Sequence, residues 1–196
     1  MIRRAVVADV PMIGKIINDC AEYGLMLPRS LASLYENLRD FQVAIERDES
    51  GEEQVAGVCG LSVIWANLAE VYALAVSPSW RGRGLGKALV LACVDEAAAL
   101  GVRKLMTLTY EQAFFEKLGF GVVDRQKLPL KVWSECLRCP KNHACDEIAM
   151  IRELPQVPQL DVPRPSVPAP DAYVMPVTLT TFGRARLPGS QEQERE

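Results

Sequence analysis

Along the first 150 residues the spacing of apolar and polar positions switches repeatedly between the strand period and the helix period. Ile2 to Ala8 predicts a short strand. Asp9 then stands where a helix cap belongs, with Pro11 in the first turn and Gly24 after Tyr23 as the stop. Ser30 can cap a second helix, whose Leu31, Leu34, Tyr35 and Leu38 recur at i, i+3, i+4 and i+7 and so share one buried face. Phe41 to Arg47 and Gln54 to Trp65 flank the polar turn D-E-S-G, which is a hairpin signature. Glu70 to Val76 continues the strands, and Leu85 to Leu100 suits a long helix ended by Gly101. Lys104 to Leu108 is a further apolar strand, and Gln112 to Leu118 a short helix closed by Gly119. Strands and helices mixed in this order predict a layered α/β fold.

Composition agrees with a globular domain. Of 196 residues 49% are hydrophobic and 24% charged, which excludes disorder throughout. A net charge of −3 supplies no broad basic field, so nucleic acid is not an expected partner. The longest uncharged apolar run, Ala88 to Val94, is far short of the roughly 20 residues that cross a bilayer. The N-terminal M-I-R-R-A-V-V-A-D breaks at Asp9 before any secretory core, so a reducing cytoplasm is the expected location and the six cysteines read as thiols or ligands before disulfides. Eight of the 13 prolines lie between Pro155 and Pro188. That stretch favours extended backbone, which predicts a domain over 1–154 and a proline-rich strap or tail over 155–196. Within it Tyr173 to Thr181 is β-prone, and the tail could strap the core or reach a second subunit in a homodimer.

The most specific chemistry sits between the fourth strand and the long helix, in S-P-S-W-R-G-R-G-L-G-K. Gly82, Gly84 and Gly86 alternate there with Arg81, Arg83 and Lys87. Backbone N–H groups free of side chains at a helix N-terminus cradle anions, and three neighbouring cations suit a pyrophosphate. The spacing fails both the P-loop and the dinucleotide fingerprint. By itself such a triplet is also what a strand-to-helix turn with solubilising charges contains.

The pattern R-x-x-G-x-G, as Arg81, Gly84 and Gly86, follows a strand ending A-L-A-V-S-P and precedes an apolar helix. It resembles the acetyl-CoA loop of the GNAT N-acetyltransferase superfamily. A second landmark, A-F-F-E-K-L-G-F at Ala113 to Phe120, follows. The resemblance covers about residues 2–152. It implies a mixed, mostly antiparallel sheet flanked by helices, and acetyl-CoA held by the backbone of Leu74, Ala75 and Val76 and by the loop Gly82, Arg83, Gly84, Leu85, Gly86 and Lys87, with Arg81 in support. R-S-L-A-S-L-Y-E-N-L-R-D-F from Arg29, L-P-L-K-V-W-S-E-C-L-R-C-P-K from Leu128 and the later C-D-E-I-A-M look like the short bacterial amino-acid N-acetyltransferases of arginine biosynthesis. These are similar to N-acetylglutamate synthase in its single-domain form. The resemblance implies transfer of acetyl to the α-amine of L-glutamate, without the kinase-like domain through which longer synthases sense arginine.

Acyl transfer from a thioester to an amine needs a base, a polarised carbonyl and a leaving thiol. Glu70, where the superfamily often keeps its catalytic carboxylate, is the candidate base, directly or through water; otherwise it is a solvated strand-end charge. Backbone N–H groups near Leu74 to Val76 could polarise the carbonyl. The tyrosine acid common in the superfamily is replaced by Phe115, left as an apolar wall for the pantetheine arm or the core. A thiol is already a fair leaving group, and Tyr110 is the substitute acid, or a packing or cofactor contact. Two carboxylates of glutamate require cations. Arg29 is the candidate by analogy with longer synthases, with Lys131 and Arg138 for the second carboxylate, either of which could instead be a surface charge. Tyr72 stands where relatives often have arginine, which leaves glutamine, another amino acid or a protein N-terminus as alternative acceptors.

Cys136, Cys139, His143 and Cys145 form C-x2-C-x3-H-x-C, four ligands that could hold zinc and staple a short substrate loop, though the H-x-C spacing is cramped for one tetrahedral ion. Free thiols or a redox-dependent disulfide are preferred, so no metal is assigned. This cluster and the missing tyrosine also allow a non-catalytic acetyl-CoA- or metal-responsive regulator. Cys20, Cys59 and Cys93 sit in apolar surroundings and read as packing residues.

Overall fold

The structure is a computed structural model in which residues 1–125, 128 and 146–160 are described. A seven-stranded sheet runs in the order β1-β2-β3-β4-β5-β7-β6. Its strands are β1 (Ile2–Arg4), β2 (Phe41–Arg47), β3 (Glu53–Trp65), β4 (Leu68–Val76), β5 (Lys104–Thr109), β6 (Gly121–Val122) and β7 (Ile148–Glu153). Every neighbouring pair is antiparallel except β4 and β5. The helices are α1 (Val10–Glu22), α2 (Leu31–Glu36), α3 (Leu85–Ala99) and α4 (Gln112–Glu116). The mixed, mostly antiparallel sheet flanked by helices is the architecture expected from the resemblance.

Two cores cover the two faces. Leu89, Val90, Cys93 and Ala97 of α3 pack with Phe115, Leu118 and Phe120 against Cys59, Leu61, Ala69 and Val71. On the other face Ile13, Ile16, Ile17 and Cys20 of α1, with Leu34 of α2, cover Phe41, Val43, Val58 and Ala75. All three described cysteines are buried free thiols, as the packing role requires. The hairpin turn is held by Asp48, whose carboxylate accepts the N–H groups of Ser50 and Glu52 at 2.9 and 3.1 Å.

Three expectations are corrected. The first strand ends at Arg4, not Ala8, because the chain turns at Val6 and Val7, both exposed. Asp9 causes that turn. Its carboxylate caps no N–H of α1 but reaches back to the Val6 N–H at 2.8 Å and takes two bonds from Arg3 at 2.6 and 2.9 Å. The second helix ends at Glu36, and of its expected apolar face only Leu34 is buried, Leu31 and Tyr35 being exposed. Ser30 does cap that helix, accepting the Ser33 N–H at 3.2 Å.

The first residues of the proline-rich stretch join the domain core. Leu154 and Val157 are buried, the Leu154 N–H binds the Arg103 carbonyl at 2.8 Å, and Arg103 donates to the Val157 carbonyl at 2.8 Å. Among the described residues no helix is long and apolar enough to cross a membrane, and no group of metal-binding side chains occurs. Lys131, Arg138, Cys136, Cys139, His143, Cys145 and the Tyr173 to Thr181 stretch lie outside the described residues.

Candidate active site

The parallel pair β4–β5 leaves an opening in the sheet. Its ladder has three rungs, Leu68–Lys104, Ala69–Leu105 and Glu70–Met106, whereas β4 runs on to Val76 and β5 to Thr109. Among the described residues β4 is paired beyond the Glu70 rung on its β3 side alone, so the strands part into a wedge with backbone groups along its edge. Such groups bind a ligand or water if they are not to be left unmet.

A bulge lies inside this wedge. Val58 pairs with Ala75 and Gly60 with Tyr72, so β4 spends one residue more than β3 over this interval. Ala73 takes up the excess at φ 50°, the one described non-glycine residue in the left-handed region. The faces confirm the slip: Ala69 and Val71 pack toward α3 before the bulge, and Leu74 and Val76 after it. A bulge re-aims the peptide groups it contains, here beside the wedge and in the segment the sequence nominated for a carbonyl-polarising role.

The glycine loop closes the wide end. Gly82 and Gly84 hold φ of 74° and 80°, conformations that favour glycine, and a side chain at either would meet nothing within 4 Å. Gly84 is the N-cap of the 15-residue α3. The Ala88 N–H already bonds the Gly84 carbonyl at 3.1 Å, so the helix N-terminal donors that precede it have no partner within the helix and, with the positive end of the helix dipole, suit an anion. Arg81 donates to the Val76 carbonyl at 3.2 Å and ties the loop to β4. Arg83 lies over the Trp80 ring at 4.6 Å, and Lys87 is exposed. Leu85 and Gly86 are half-buried, and Gly86 sits near Val76 and Phe114. Phe115 is buried in the core, edge-on to Phe114 and Phe120 at 5.1 and 5.2 Å. Phe114 is the ring nearest the loop, beside Gly86.

Opposite α3, the other face of β4 gathers a polar cluster. Strand alternation puts Glu70 and Tyr72 on the face that packs toward α1 and α2. Glu70 occupies the last paired rung, at the apex of the wedge. Arg29, in the loop between α1 and α2, has its backbone held in both directions by Asn18, whose amide accepts the Arg29 N–H at 2.9 Å and donates to the Arg29 carbonyl at 3.0 Å. Its guanidinium lies over the Tyr72 ring, 4.7 Å from the centroid. The Tyr72 hydroxyl donates to Asp40 at 3.0 Å. Burial pushes the Tyr72 phenol far above its ordinary range, the Asp40 charge adds to this, and Arg29 opposes it. Burial likewise raises the Asp40 carboxyl, against hydrogen bonds from Tyr72 and Ser62 and the charge of Arg29. The Glu70 charge is also felt by the Tyr72 phenol, so Glu70, Tyr72, Asp40 and Arg29 form one electrostatic group.

Two of the sequence candidates, Glu70 and Arg29, thus both act on Tyr72 although 41 positions separate them. Tyr110 falls just beyond β5, half-buried. Sequence reasoning missed Asn18 and Asp40, and it noted Tyr72 only as a departure from relatives. A polar Tyr72 two positions after Glu70, opposite a glycine inside the apolar run of β3, was the available signal.

The chain matches the model of the acetyltransferase (GNAT) family over residues 13–120. It is 37% identical over 153 residues to an uncharacterized N-acetyltransferase of Chlorobaculum tepidum, a match spanning 78% of this chain and 96% of that one. An amino-acid acetyltransferase of Mycobacterium tuberculosis is 33% identical over 138 residues, 70% of this chain and 78% of the relative. Amino-acid acetyltransferases of Neisseria meningitidis are 30% identical over 130 residues, but this match spans 29% of their length. Among solved structures, a Mycobacterium tuberculosis protein crystallised with CoA superposes with a TM-score of 0.68 at 29% identity, covering 79% of this chain and 99% of that one. N-acetylglutamate synthase from Neisseria gonorrhoeae, complexed with CoA and N-acetyl-glutamate, shares the fold at a TM-score of 0.68 and 24% identity, covering 79% and 35%.

Proposed function

Because the chain belongs to the acetyltransferase (GNAT) family, we propose that this enzyme moves the acetyl group of its cosubstrate acetyl-CoA to the α-amine of a free amino acid, L-glutamate first. The wedge and the glycine loop suit the two parts of CoA. The diphosphate would lie on the N–H groups of the loop Gly82 to Lys87, with Arg81, Arg83 and Lys87 near, and the pantetheine arm between β4 and β5 along Leu74, Ala75 and Val76. The single observation that carries the acceptor assignment is the convergence of Glu70 and Arg29 on one face of β4, at the apex of the wedge.

The reaction follows from those places. Arg29 would bind the acceptor α-carboxylate, to which its planar fork is matched. Glu70 would take the proton of the ammonium, directly or through water, and free the nitrogen lone pair. Nitrogen attacks the thioester carbonyl and the C–N bond forms; the nitrogen loses its second proton to water as the C–S bond breaks, and the departing thiolate takes a proton from water. N–H groups at the Ala73 bulge would stabilise the oxyanion. Lys131 and Arg138 remain the candidates for the side-chain carboxylate, and arginine biosynthesis the setting. The amino-acid acetyltransferases among the relatives support this acceptor class.

L-glutamine is the second reading, on a specific observation: the Asp40 carboxylate feels the charge of Arg29, and Asp40 and Glu70 both act on the Tyr72 beneath it, a balance that favours an acceptor with one negative charge over one with two. The test is release of free CoA by the purified chain with acetyl-CoA and each of the 20 amino acids. Glutamate turnover above all others supports the first reading, glutamine above glutamate the second, and no release with any amino acid refutes both.

A further inference from the structure

We propose that Tyr72 is the positioning residue that sets the Arg29 guanidinium at the acceptor α-carboxylate, an inference that rests on the role given to Arg29 above. An arginine on a loop has many rotamers, and a site that must order one on binding loses affinity by doing so. Here the order is built in. Asn18 fixes the Arg29 backbone through both its N–H and its carbonyl, and the ring of Tyr72 receives the guanidinium at 4.7 Å. A second cation on β4 at this place would repel Arg29, whereas an aromatic face attracts it.

The ring is itself held from three directions. Its hydroxyl donates to Asp40 at 3.0 Å, and Phe41 packs against it with the centroids 5.5 Å apart and the planes at 56°. It also lies across Gly60, its partner on β3: a Cβ there would stand 2.5 Å from one ring carbon and 2.6 Å from the next. Gly60 has no left-handed φ, so the backbone alone would accept alanine. Room for the Tyr72 ring is what the missing side chain provides. The phenol, donating to a carboxylate, is also polarised toward the electron-rich character that a cation favours.

Initial rates of the full chain with acetyl-CoA and its best amino-acid acceptor test this. Tyr72→Leu should raise the acceptor KM about tenfold, or about 1.4 kcal/mol, with kcat and the acetyl-CoA KM within about twofold of the parent. Tyr72→Phe keeps the ring and should restore most of the loss. Gly60→Ala moves the ring aside without altering it and should raise the acceptor KM like Tyr72→Leu, which carries the test if the leucine variant does not fold. In an Arg29→Gln background, Tyr72→Leu should add nothing, because it acts through Arg29. An acceptor KM unchanged in both Tyr72→Leu and Gly60→Ala, or a further tenfold rise on top of Arg29→Gln, overturns the inference alone. An acceptor KM unchanged by Arg29→Gln, or a parent chain that turns over no amino acid, overturns the reading beneath it as well.

Discussion

Replacement of Gly84 by alanine separates the loop's backbone geometry from mere lack of side chains. Gly84 caps α3 at φ 80° and ψ 2°, and a Cβ there meets nothing within 4 Å. Strain, and no collision, is therefore the whole cost to the free protein: about 1–2 kcal/mol for an L-residue in the left-handed region. At roughly 2–4 °C per kcal/mol for a chain of this size, Tm should fall by about 2–8 °C. Partial relief of that strain would turn the peptide between Gly84 and Leu85 and swing the Leu85 N–H out of the cradle. One charge-assisted bond lost is about 1.5–3 kcal/mol, so the Kd for CoA should rise about 10- to 150-fold. Gly86→Ala is the control. Gly86 lies inside α3 without a positive φ, and its Cβ would sit 3.7 Å from Phe114 and 3.9 Å from Val76, ordinary contacts. That change should raise Tm by about 1–4 °C through helix propensity and leave the Kd within about threefold. Calorimetric titration with CoA and thermal melting of the three proteins decide the matter. A Gly84→Ala protein that melts lower yet binds CoA like the parent would refute the argument that the left-handed turn aims the N–H groups.

Other perturbations follow from the same structure. Glu70→Gln should lower kcat by about 10²- to 10⁴-fold, the usual contribution of a positioned base, while calorimetry finds CoA affinity unchanged; full kcat would remove Glu70 from the reaction. Asp9→Asn should cost about 1–3 kcal/mol at pH 7. Burial pushes the Asp9 carboxyl up, but bonds from Arg3 and the Val6 N–H outweigh it and hold the group below its ordinary value. Its contribution is therefore complete above about pH 4 and lost as pH falls through the native value, so melting curves of parent and variant should converge in acid. Phe115→Leu should lower Tm by about 2–8 °C, for a core loss of about 1–2 kcal/mol, and spare CoA affinity, because the ring packs between Phe114 and Phe120. A large loss of CoA affinity would put Phe115 on the pantetheine arm.

Much of the fold was legible because its signals are local. The period-2 runs of β2 to β4, the Ser30 cap and the glycines after α1 and α3 each report on a few neighbouring residues. Strand β7 was missed for the opposite reason. Ile148–Glu153 earns its place by pairing with β5 along six rungs, and six residues of mixed polarity say nothing of a partner some 40 positions upstream. Asp9 misled because capping residues serve either direction: the same carboxylate that could cap α1 closes the preceding turn on Val6.

The site divides in the same way. The loop proposed for the cofactor could be seen in the sequence because its glycines and arginines are contiguous. The cluster proposed for the acceptor could not be assembled, since Asn18, Arg29, Asp40, Gly60, Glu70 and Tyr72 come from α1, the loop after it, the turn before β2, and two strands. Only the register that sets Tyr72 against Gly60 unites them. The wedge itself is a property of where a ladder stops, after Glu70 and Met106, and no single strand encodes that.

A crystal structure of the chain with CoA and the preferred amino acid tests the central claim most directly. The account predicts the diphosphate on the N–H groups of residues 82–87, the thiol between β4 and β5 within reach of Glu70, and the acceptor α-carboxylate on the Arg29 guanidinium. Coenzyme bound away from the wedge, or an acceptor whose carboxylate avoids Arg29, would contradict it.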